Sequence, residues 1–235
     1  MMETDAARDA AQPARRIILC ADDYGLAGGV NRAIRDLIIK RRLNATSVMI
    51  GGGALDRDAV AALVEAARQS GARIGLHVTL SAPFSPQSLH FTPLEGGQFI
   101  PLGRLLLRAF TGRIDTDICR SEIVAQLDRF HDAFGRAPDF VDGHQHVQLF
   151  PGIRDGFLDA VAARAPSAWV RQCGAMPALR PSWRDAKAAL IDRLSTGFRR
   201  RAAAHRLAVN PAFTGAYDFS NRIPFAERSL SASIP

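Results

Sequence analysis

The sequence predicts a single α/β domain, and three observations carry that expectation. Short apolar runs alternate with amphipathic stretches from residue 17 to about residue 171, the rhythm of parallel strands joined by helical crossovers. A chain of 235 residues buries a full core and, with this alternation, fits one domain better than two. The residues with chemical potential, Asp22 and Asp23, His77, and His144, each follow an apolar run and so lie at predicted strand exits.

Taken in order, Ile17, Ile18, Leu19, Cys20 and Ala21 form the first run, which breaks at Tyr24-Gly25. Ile34, Leu37, Ile38 and Leu43 recur at helical spacing and predict a helix over residues 31–42. Residues 45–50 read as the second strand, which completes a β-α-β unit. An alanine-rich helix over about residues 54–69 ends near Gly71 and leads into a strand at 74–80. Residues 81–102, with Pro83, Pro86, Pro93, Pro101 and Gly96-Gly97, predict a long loop, and loops of this length are often functional. Ile118, Ile123, Leu127, Phe130 and Phe134 line one side of a helix over 117–134, before the strand at Phe140-Val141. Pro151 opens a helix to about residue 164, residues 168–171 read as a strand, and 186–205 as a long arginine-bearing helix.

The ends differ in character. Residues 1–15 are a polar tail without the apolar centre of a secretory signal, and 226–235 are serine-rich without a period. Residues 16–235 are therefore expected to form the one domain, closing in an irregular tail.

Composition narrows the function classes. The chain is 47% apolar and 23% charged, and no apolar stretch approaches the roughly 20 residues that cross a bilayer. Three widely spaced cysteines, Cys20, Cys119 and Cys173, form no disulfide framework and suit a reducing cytoplasm. The net charge of +7 comes mostly from scattered arginines, with only Phe198-Arg-Arg-Arg201 clustered and no aromatics interleaved. That pattern describes a solvated surface, so neither a nucleic acid nor a membrane is expected as partner. No oligomeric state is predicted.

Adjacent Asp22 and Asp23 point to opposite faces of a regular strand, but a turn at the strand exit brings both to one pocket. The plain alternative is a helix cap near Val30 and a solvated neighbour. His77 alone is weak evidence. His144 and His146, two apart, project to the same side of an extended segment and suit zinc-like metals. One carboxylate with two histidines makes the three-ligand set of a catalytic metal with open positions.

Four segments in order, Ala21-Asp-Asp-Tyr-Gly25 with Asn31, Thr46-Ser47, Ile74-Gly-Leu-His77, and Asp142-Gly-His-Gln-His146 followed by Pro151, resemble the YdjC-like carbohydrate deacetylases, chitooligosaccharide deacetylases included. The resemblance implies a distorted TIM-like (β/α) barrel with its site at the strand C-termini. It also implies that Asp23, His77 and His144 hold one divalent metal ion, Mg2+ or Zn2+, and that Asp22 is the catalytic base. His146 then neighbours the substrate pocket, and Arg171 either holds substrate or pairs with a site carboxylate. The implied reaction removes acetyl groups from N-acetylated sugars or short oligosaccharides, releasing acetate and a free amine.

The chain departs from the family in one respect. Members carry a histidine in a His-Pro-Gly type segment near the C-terminus as proton donor, and this sequence has none. The expectation is a barrel missing its last unit. The alternative function is a catalytically impaired relative that binds sugar or metal, and a basic nucleic-acid-associated protein is a weaker third reading.

Overall fold

The computed structural model describes residues 17–175 and 186–214, so the expected tails at 1–15 and 226–235 lie outside the described residues. In chain order the elements are β1 (Cys20–Tyr24), α1 (Gly28–Ile39), β2 (Ala45–Val48), α2 (Arg57–Ser70), β3 (Arg73–Val78), a small hairpin of β4 (Leu94–Glu95) and β5 (Gln98–Phe99), α3 (Leu102–Phe110), α4 (Thr116–Phe134), β6 (Phe140–Gly143), a 3-10 turn (His144–Leu149), α5 (Ile153–Arg164), β7 (Trp169–Val170) and α6 (Ala186–Ala204). The main sheet is parallel throughout, in the order β1-β2-β3-β6-β7.

β2 and β6 are buried along their whole length. Helices cover the faces of a parallel sheet, which is why its strands read as unbroken apolar runs rather than alternating ones. The helices start and stop at local signals. Asp56 caps α2 through Ala59 N–H, and Asp115 caps α4 through the N–H groups of Asp117 and Ile118. Gly71 and Gly135 end the same helices in left-handed conformation, at φ 78° and 67°.

The first strand begins later than expected. Ile17, Ile18 and Leu19 are about half exposed because the β1–β2 ladder starts only at Cys20 opposite Ala45. The expected loop at 81–102 lies between β3 and α3 but contains the small β4–β5 hairpin, and α3 is a helix that was not expected. The spacing of Leu102, Leu105, Leu106 and Ala109 carried that helix in the sequence, and Leu105 and Ala109 are buried by it.

Among the described residues the sheet does not close. β1 is one edge, and beyond β7 only an isolated parallel bridge from Val170 to Val209 extends the order. The α/β expectation holds, whereas the closed barrel is not what these strands form. Among the described residues no helix is long and apolar enough to cross a membrane, and Cys20, Cys119 and Cys173 are all free thiols.

Candidate active site

The two adjacent aspartates reach one pocket because β1 bulges. Ala21 faces Thr46 and Tyr24 faces Val48, so three steps along β1 match two along β2 and one residue is extra. The bulge sets Asp23 in left-handed conformation at φ 67°, a region aspartate tolerates better than most side chains.

His77 is delivered by register. In the parallel ladder of β3 with β6 it lies directly opposite Asp142, so its Nδ1 meets Asp142 Oδ1 at 2.6 Å while Nε2 lies 3.2 Å from Asp23 Oδ1. The glycine two residues earlier serves the same ladder: a Cβ on Gly75 would fall 2.5 Å from the ring of Phe140. Ser47 Oγ, from the neighbouring strand, lies 3.2 Å from His77 Nδ1 and donates to Asp22 Oδ1 at 3.0 Å.

His144 opens the 3-10 turn and places Nδ1 3.0 Å from Asp23 Oδ1. The segment is not extended, because Gln145 and His146 both adopt positive φ, 56° and 61°. That pair of left-handed residues turns His146 away from the group, against Cys173 Sγ at 3.4 Å and edge-on to the Phe213 ring. The expectation that His144 and His146 project to one side is therefore corrected. Two consecutive left-handed non-glycine residues cost roughly 1–3 kcal/mol each, a strain found mostly at functional sites.

Arg171, leaving β7, joins the two carboxylates behind the group. Its Nη1 donates to Asp22 Oδ1 and Oδ2 at 2.9 and 2.8 Å. It also meets Asp142 Oδ2 at 2.8 Å, as a charge pair without hydrogen-bond alignment. Arg171 is buried, so of its two expected roles the structure displays the carboxylate pairing.

Burial and charge decide the protonation states. Burial works against the Asp22 carboxylate, but His77 and Arg171 outweigh it and hold the group near a value of about 2. Asp23 is likewise held well below the ordinary range: burial opposes this, and hydrogen bonds from His144 and His77 overcome it. Burial disfavours a charged His77, yet Asp142, with help from Asp23 and Asp22, pushes it up to about 10. His146 moves the other way, driven by burial down to about 4, so it is neutral at pH 7.

Asp23, His77 and His144 each offer one ligand atom, all within 4.8 Å of one another. Asp22, His77 and Asp142 form a second such group, but there the Arg171 guanidinium already lies against both carboxylates and fills the cation's place. Three carboxylates and one guanidinium leave the cluster two negative charges in excess when His77 is neutral. A divalent cation beside Asp23 balances that excess, so the residues present fit a metal ion. A groove of about 880 Å³ lined by Leu55, Val60, Val64, Arg129 and Phe134 contains none of these groups. The chemistry is concentrated at the strand exits instead.

Two members of the cluster had no role assigned from sequence. Asp142 is the hydrogen-bonding partner that holds the His77 ring in place, and Ser47 ties Asp22 to that histidine. Both stand inside the motifs quoted above, but their roles depend on cross-strand register.

A family model described as YdjC-like protein matches residues 16–232. A human carbohydrate deacetylase is 31% identical over 156 residues, which is 65% of this chain and 47% of that protein. A chitooligosaccharide deacetylase of an Enterobacter species is 33% identical over 140 residues, 58% of this chain and 52% of that one. The chain thus spans about half the length of the curated relatives it matches. A solved Enterococcus faecalis protein, proposed to act in cellobiose-phosphate cleavage, shares 20% identity at a TM-score of 0.59, covering 91% of this chain and 72% of that one. It supports the fold.

Proposed function

The chain belongs to the YdjC-like protein family, and from that premise we propose that it is a metal-dependent hydrolase removing acetyl groups from N-acetylated sugars or short oligosaccharides. The observation that carries this reading is the convergence of Asp23, His77 and His144 on one point, with Asp22 beside them. The names of the relatives supply the substrate class.

In this reading Asp23, His77 and His144 hold one divalent ion, and two imidazoles among three donors favour zinc over magnesium. When bound, the ion polarises the amide carbonyl and acidifies a water molecule. The chain's own residues do the rest. Asp142 keeps His77 Nδ1 occupied, so that Nε2 faces the ion. Arg171 and Ser47 fix the Asp22 carboxylate, ionised and about a third exposed, where it takes the proton of the attacking water. Asp22 then returns that proton to the leaving amine. His146, neutral and packed on Cys173, has no proton to give at pH 7 and borders the substrate instead.

We also read residues 16–235 as one cytoplasmic domain, and the open sheet as part of a distorted barrel whose next strand starts at the Val170–Val209 bridge. The test is acetate release from N,N'-diacetylchitobiose by zinc-loaded protein. Asp22→Asn is expected to abolish release at unchanged zinc affinity. Release that survives this substitution would sink the assignment of the base, and a zinc-loaded, folded wild type that releases nothing from acetylated sugars would favour a binding-only relative.

A further inference from the structure

Glu122, on α4, is fully buried and takes no part in the chemistry above. A buried carboxylate is costly unless its oxygens are satisfied, and among the described residues no cation pairs with this one. Its oxygens accept instead from the backbone N–H of Gln87, at 2.9 and 3.0 Å, the N–H of Ser88, at 2.8 Å, and the Gln126 amide, at 2.8 Å. Gln126 in turn brackets Thr79, accepting from its N–H and donating to its carbonyl. One helix therefore grips the chain just after β3 and again in the middle of the following loop.

That loop returns to the metal-ligand group. Ser81 Oγ donates to Gln145 Oε1 at 2.9 Å, next to His144. Ala82 N–H and the Phe84 carbonyl bond to Ile100 and Phe99 and close the loop's base. Between these anchors and the Glu122 clamp stands Phe84, half-buried, its ring perpendicular to His144 at a centroid distance of 5.7 Å. The loop after β2 comes close to the clamped segment at Gln87: a Cβ on Gly51 would fall 3.0 Å from the Gln87 side chain. Phe213, the other ring of the site, already packs on His146 and over the Arg171 guanidinium.

We infer that Phe84 is the wall against which the apolar face of a substrate sugar ring stacks, and that Glu122 is the positioning residue that holds this wall beside the metal ligands. The inference rests on the proposed deacetylase reading and specifies its substrate as one with a pyranose ring adjoining the acetamide. A buried charge satisfied by loop N–H groups suits this task, since charge-assisted bonds are directional and about twice as strong as neutral ones.

The test compares Phe84→Ala, Phe84→Trp and Glu122→Gln with wild type in zinc-loaded full-length protein. Acetate release from N,N'-diacetylchitobiose gives kcat and KM, and hydrogen exchange reads the Gln87 and Ser88 amides. Loss of one aromatic wall is expected to raise KM about fivefold with kcat within about twofold, and Phe84→Trp is expected to restore KM. Glu122→Gln is expected to raise KM likewise and to speed exchange at both amides. An unchanged KM in Phe84→Ala would overturn the wall, and faster exchange in Glu122→Gln at unchanged KM would overturn the positioning role. If wild type releases no acetate, the deacetylase reading fails first, and calorimetric binding of the disaccharide then decides the inference. Binding weakened by Phe84→Ala retains it, and equal binding or none by wild type overturns it.

Discussion

Metal-free protein is expected to lose stability as pH rises from about 6.5 to 10, through His77. The imidazole is buried, with one nitrogen 2.6 Å from Asp142 and the other 3.2 Å from Asp23, and these partners push it up to about 10. A group whose folded value lies above its unfolded value stabilises fully below the unfolded value, about 6.5, and this stabilisation is lost as pH rises through the folded value. At about 1.4 kcal/mol per pH unit, the gap is worth on the order of 5 kcal/mol, a large share of a typical domain's stability. The assay is urea unfolding of chelator-treated protein at about pH 6, 8 and 10, with His77→Gln as reference to subtract other titrating groups. Wild type should fall toward the variant across this range, and zinc should remove the decline, because a ligating imidazole is neutral. If metal-free wild type and His77→Gln show parallel pH profiles, His77 carries no ion pair in the folded state and the reasoning is refuted.

Other expectations follow from single contacts. Asp142→Ala strands the buried Arg171 and His77, and should cost about 3–5 kcal/mol by denaturant unfolding, more than Asp142→Asn, which keeps the shape. Gly75→Ala sets a methyl 2.5 Å from the Phe140 ring and should cost about 1–3 kcal/mol, seen as a Tm several degrees lower. Asp115→Ala removes the cap that receives two N–H groups at the start of α4 and should cost about 1 kcal/mol without altering zinc affinity measured by chelator competition.

The wall formed by 81–100 illustrates where local reading stops. Its prolines and Gly96-Gly97 marked a loop, but nothing local announced that Glu122, 34 residues after Ser88, would hold it. The helix carrying Glu122 was legible from its apolar positions, and Glu122 belonged to the buried side all the same. A carboxylate at such a position reads as an exposed residue until its donors are known.

By itself the sequence determined the alternation of strands and helices, the helix end near Gly71, and the candidates Asp22, Asp23, His77 and His144, because all of these depend on spacing along the chain or on residue type. Only the tertiary structure decided how the candidates meet. The bulge in β1 turned both aspartates inward, the β3–β6 register set His77 against Asp142, and two left-handed residues turned His146 away. Arg171 reached back 149 residues to Asp22. Pairings of that separation are fixed by register and packing between elements, for which a periodic pattern along the chain carries no signal.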